Sequence, residues 1–94
     1  MLHIAVLQFS LEIRWATCLK DKRRVVQSLK EKTRRRFNVS IAEIDDQDVH
    51  QTASLAIVMA GSDIPYLNGA LDKILDTLRD WPDADLVAQQ LEIL

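Results

Sequence analysis

From Ala5 to Trp15 every odd position is apolar (Ala5, Leu7, Phe9, Leu11, Ile13, Trp15), and Gln8, Ser10, Glu12 and Arg14 alternate with them. A period of two is that of a strand with one buried face. The chain therefore opens on a long strand that needs partner strands and a covering layer. In 94 residues one core has to supply all of this, which excludes a two-domain enzyme with a cleft between its halves. A hydrophobic content of 48% is enough for such a core without disulfides or a structural metal.

The segments that follow supply the partners. Leu19 to about Phe37 has a helical period, with Leu19, Val25, Val26, Leu29 and Phe37 near one stripe and charge over the rest. Asn38 is the expected stop, because Asn tolerates the left-handed conformation at a helix end. Val39–Ile44 reads as a short second strand and Ala53–Ala60 as a third, joined by a polar hairpin connection from Asp45 to Thr52. Ser62 or Asp63 can cap a second helix with Pro65 in its first turn and Ile64, Leu67, Leu71, Ile74, Leu75 and Leu78 as its stripe. Gly69 interrupts that helix, as a close approach to a neighbour or as a tolerated weakness. Asp85–Leu94 completes the series with Val87, Leu91 and Ile93 on one side. The order β-α-β-β-α-β predicts an α+β sandwich of the ferredoxin-like kind over residues 1–94, a four-stranded antiparallel sheet with both helices on one face.

The formal net charge of -2 conceals a segregation. Nine basic residues lie between Lys20 and Arg36 against Asp21 and Glu31, a local charge of +7, whereas Phe37–Leu94 carries eleven acids and two bases, or -9. A partner meets the local field, so the first helix has to be judged alone. The single cysteine, Cys18, cannot close an intrachain disulfide, which points to the cytoplasm. The N-terminal run lacks a basic head and is broken by Gln8, so neither a signal peptide nor a membrane span is expected.

Cys18-Leu19-Lys20-Asp21-Lys22-Arg23-Arg24-Val25-Val26, then Arg36-Phe37-Asn38-Val39-Ser40-Ile41-Ala42-Glu43, then Gln47-Asp48 with Gln51 and Ala53, resemble the bacterial YlxP-like family, domain of unknown function 503. The resemblance spans the whole chain. It implies a ferredoxin-like fold without an established activity and, by gene neighbourhood, a role around RNA or the ribosome. That family typically has Ser where this chain has Cys18, so capping of the first helix passes to Thr17.

Lys20, Arg23, Arg24, Lys30, Arg34 and Arg35 fall on two adjacent helical stripes and are the candidate contacts to a phosphate backbone. Their competitor is internal. Asp72, Asp76 and Asp80 of the second helix recur at i, i+4 and i+8 and are spaced to neutralise the first. Recognition by bases stacked on the sheet needs aromatic rings on its open face, and none falls there. That face instead offers Ile4, Val6, Ala56 and Val58, a surface a homodimer would cover. Asp45, Asp46, Asp48 and His50 match neither a calcium loop nor a zinc site, and no metal or cofactor is expected. Cys18, near Lys22 at a helix start, is a candidate reactive thiol. Enzymes of the same sandwich that hydrolyse acyl phosphates cradle the anion with an Arg and an Asn; here Arg14 precedes and Asn38 follows the first helix, but the connection Ala16-Thr17-Cys18 has no Gly to open a nest of amides. The sequence thus predicts a non-catalytic binding or adaptor module. Structured RNA or the ribosome is the preferred partner, a homo-oligomeric interaction module is the alternative, and a phosphate-handling enzyme is third.

Overall fold

A computed structural model describes residues 1–94 as six elements in the expected order: β1 (His3–Glu12), α1 (Leu19–Arg36), β2 (Ser40–Asp45), β3 (Thr52–Gly61), α2 (Ile64–Arg79) and β4 (Asp85–Ile93). The sheet runs β2-β3-β1-β4, antiparallel throughout, with Val6 opposite Val58, Leu7 opposite Leu91 and Ile41 opposite Ile57. The alternation in β1 sends Ala5, Leu7, Phe9 and Leu11 to one face, where they meet Ala53, Leu55, Ile57 and Met59 of β3. Both helices close over that face, so a single cluster of 21 buried residues runs through β1, β2, β3 and the two helices, with Leu86, Leu91 and Ile93 of β4 packed half-buried against it. This is the ferredoxin-like sandwich.

Local departures have physical causes. β1 ends at Glu12 rather than Trp15, because its partner β3 begins opposite it at Thr52. Beyond that point Ile13 stays buried and donates its N–H to Gln51 O (2.8 Å), while Arg14 and Trp15 form an exposed turn. Asn38 is not a left-handed stop. Phe37 ends α1 in an extended conformation (φ -131°) with its N–H on Thr33 O, and the only non-glycine residues at positive φ are Asp46 and Asp83. Val87 does not share a face with Leu91 and Ile93. The β1–β4 register slips between Ser10 and Leu11, whose partners are Ala88 and Leu86. This bulge leaves Val87 half exposed and gives Leu86 its place against the core. Ile64 starts α2 too close to its end to be covered and is 40% exposed.

Asp63 caps α2 by accepting from the Tyr66 N–H (3.1 Å), with Pro65 in the first turn. A Cβ placed on Gly69 would meet nothing within 4 Å, so this glycine serves no close approach and is a tolerated weakness.

Candidate nucleic-acid interface

At 3.6 residues per turn, the buried side of α1 is set by Lys22, Val25, Val26, Leu29 and Thr33. Lys20, Arg23, Arg24, Lys30, Arg34 and Arg35 then fall within an arc of about 140° around the opposite side. All are exposed except the half-buried Lys30. None has a carboxylate within 4 Å; Lys22 is the one cation of α1 in an ion pair. The aspartates of α2 do not reach across. Asp76 pairs with Arg79 on its own helix (3.1 Å), and neither Asp72 nor Asp80 pairs with α1.

Lys20, Arg23, Arg24 and Lys30 border one shallow concavity of about 650 Å³, which Glu31 and Glu43 also line. Lys22 pairs with Glu43 (2.8 Å), whereas Glu31 accepts from the neutral Gln27 amide (3.1 Å) and keeps its charge, one carboxylate against four cations. Arg34 leans toward the sheet edge, and its Nη2 donates to Ile41 O of β2 (3.0 Å). The other flank of α1 faces α2, where Arg36 Nη1 donates to Thr77 Oγ1 (3.5 Å) and the Lys32 ammonium sits 5.2 Å from the centre of the Trp81 ring.

Lys22 is the residue that sequence reasoning misplaced. Its ammonium is turned to the β2–β3 hairpin and not to the Cys18 thiol. Its side chain is 1% exposed, and Nζ donates to Glu43 Oε2 (2.8 Å) and to the carbonyls of Asp46 (2.6 Å), Thr52 (3.2 Å) and Gln47 (3.4 Å). A buried ammonium is tolerated only with its protons engaged. Here three N–H groups share four oxygens and clasp the β2–β3 hairpin to α1. The available signal was positional, since Lys22 falls on the apolar stripe with Val25, Val26 and Leu29. Within the same hairpin, Asp45 Oδ1 accepts from the Asp46 N–H (2.8 Å) and Asp46 Oδ2 from Ser54 Oγ (2.8 Å), the local bonds of an Asp-rich turn.

The start of α1 is closed by a carboxylate rather than by a hydroxyl cap. Cys18 is the N-cap without a capping side-chain bond. Asp21 Oδ2 reaches back to accept from both the N–H (3.0 Å) and the Oγ1 (3.1 Å) of Thr17. These bonds, the backbone one foremost, hold the Asp21 carboxyl below its usual range, aided by the Cys18 side chain and the charge of Arg24. Thr17 thus spends its amide and its hydroxyl on Asp21, and Cys18 is an exposed free thiol. Arg14 binds Glu12 (3.0 Å) and lies 3.9 Å from Asp85. The hydrogen bond that Arg14 donates to Glu12, then the charge of Glu12 and that of Asp85, push the Arg14 pKa further up. Arg14 and Asn38 flank opposite ends of an 18-residue helix, about 27 Å apart at 1.5 Å per residue, so the structure does not bring them together.

The open sheet face carries no aromatic ring. Phe9 is buried on the helix side (3% exposed), and outward positions of the central pair are Ile4, Val6, Gln8 and Ser10 opposite Ala60, Val58, Ala56 and Ser54. Trp15 and Trp81 sit at element ends. Trp15 donates Nε1–H to Asp83 O (2.7 Å), and Trp81 packs half-buried against the core.

The model of a family described as Protein of unknown function (DUF503) matches residues 4–91. The chain belongs to that family. A DUF503-like relative in Bacillus subtilis (strain 168), described as Uncharacterized protein YlxP, is 30% identical over 77 residues, which cover 82% of this chain and 84% of the relative. Among solved structures, the de novo designed protein Foldit4 superposes with a TM-score of 0.58 over 98% of this chain and 96% of its own, at 12% identity. That likeness concerns the fold alone. No helix of this DUF503 protein is long and apolar enough to cross a membrane.

Proposed function

We propose that the protein is a non-catalytic cytoplasmic binding module that contacts structured RNA, ribosomal RNA included, through the outer side of α1. One observation carries this reading: six cations share one side of one helix and no carboxylate of the chain pairs with any of them. An uncompensated cationic rod favours a polyanion, and its contacts go to phosphates, which position the protein without reading sequence. The absence of stacking rings on the sheet fits the same division. The family resemblance, with its gene neighbourhood around translation, leans the same way.

The test is an affinity titration against salt. Six phosphate contacts give a log–log slope of about -4 to -5, and replacing Arg23, Arg24 and Arg34 by Gln lowers it by about 2 to 3. A salt-insensitive signal, or one untouched by the triple substitution, overturns the reading.

A second reading rests on the open sheet face, where Val58 (39%) and Ile44 (48%) are exposed beside Ile4, Val6 and Ala60 and flanked by the unpaired edges β2 and β4. A homodimer through that face leaves α1 free, so the two readings are compatible. Light scattering across a micromolar dilution series reports it directly, and a strict monomer removes it.

A further inference from the structure

Between the C-terminal half of α1 and the end of α2 lies a cleft of about 210 Å³. Phe37, Ile74 and Leu78 line it, Trp81 forms one wall, and Lys32 and Arg36 stand at its mouth. The volume is below that of an ordinary cofactor pocket and suits one flat ring. Its chemistry is an apolar slot with a positively charged rim, next to the phosphate-binding side of α1. At 100° per residue the exposed cations lead round the helix from Arg24 and Arg35 to Lys32 and then Arg36, into the slot. Beyond Arg36 the surface is mixed, with Asp76 and Asp80 beside Lys73, so the continuous run of cations that an anionic chain can follow lies on the α1 side.

Resting on the RNA reading above, we infer that this cleft receives a single unpaired nucleobase, which stacks on Trp81 while its flanking phosphates contact Lys32 and Arg36. The Lys32 ammonium now lies over the Trp81 ring, 5.2 Å from its centre, an exposed cation–π contact that is weak compared with a charge-assisted bond to phosphate. A phosphate at the mouth draws Lys32 off the ring and opens that face to the base. Base stacking, missing from the sheet, is thereby relocated to the gap between the helices, and the preferred ligand is a helix with a bulged nucleotide or a loop.

An RNA hairpin carrying one unpaired 2-aminopurine is compared with the same hairpin in which that residue is paired. The bulged RNA is expected to bind about tenfold more tightly, with its fluorescence quenched on binding. Trp81→Leu removes both the quenching and the advantage, and Trp81→Phe keeps most of each. Thr77→Phe, at a position that lines the slot, fills the cleft while Trp81 stays in place and also removes the advantage, so the outcome does not depend on Trp81→Leu folding. If bulged and paired RNA bind equally and both show salt dependence, the base pocket falls and the phosphate reading stands. If neither RNA binds at low salt, both fall.

Discussion

The two helices cover the same sheet in opposite ways. α2 lays down six apolar side chains (Leu67, Ala70, Leu71, Ile74, Leu75, Leu78), whereas α1, two residues longer, buries Val25, Val26 and Leu29 together with Lys22 and Thr33. α2 is held by burial of apolar area, and α1 is held partly by one clasped ammonium. The difference shows how a helix can carry nine cations and still belong to a small core. Its apolar contribution is narrow, and the missing adhesion comes from a polar anchor that simultaneously fixes a hairpin. The helix that does least for the core is the one with most charge to offer a partner.

The comparison can be broken most directly by removing the apolar side. Leu71→Ala, at a fully buried position, should cost about 3 kcal/mol and lower the melting temperature by about 12 to 24 °C, measured by circular dichroism. Lys22→Met should cost about 2 to 3 kcal/mol in urea unfolding, because it strands the Glu43 carboxylate and three hairpin carbonyls. Adding Glu43→Gln should return about 1 kcal/mol. Hydrogen exchange should rise in the hairpin from Asp45 to Thr52 more than in α2; a uniform rise would mean that the clasp is no local anchor. Gly69→Ala should stabilise by about 1 kcal/mol, since the new methyl meets nothing. The smallest effect belongs to Asp21→Asn. The carboxyl of Asp21 is depressed in the folded chain, so its stabilisation is present above the unfolded value of about 3.9 and is lost as pH falls through the lower folded value. Unfolding titrations of the Asn variant should accordingly differ from wild type less below about pH 4 than at pH 7.

Architecture was legible because period and composition agree at each element. The odd-numbered apolar run of β1, the β-branched residues of β2, the apolar run of β3 and the Asp63-Ile64-Pro65 start of α2 each carry their own local reason. Where the strand reading slipped, the cause was non-local. Nothing within β4 announces that Val87 will be squeezed outward, because the bulge is decided by register against Ser10 and Leu11. Asn38 has the right chemistry for a helix stop, but the chain left α1 through an extended Phe37 instead.

The candidate site divides in the same manner. The exposed cations of α1 follow from helical period alone, and their freedom from the α2 aspartates does not, since it depends on how two helices distant in sequence are set apart. From the sequence Lys22 is only a cation near Cys18, and its acceptors come from the β2–β3 hairpin 21 to 30 residues downstream. The slot beside Trp81 joins residues more than 40 positions apart, a proximity that only tertiary packing creates.

An amine enclosed by carbonyls is also a clock. Acylating reagents can modify Lys20 and Lys73 at once, both being exposed, whereas Lys22 becomes nucleophilically available only when the turn that covers it lifts away. Its modification rate in native buffer therefore counts the openings of one corner of the molecule.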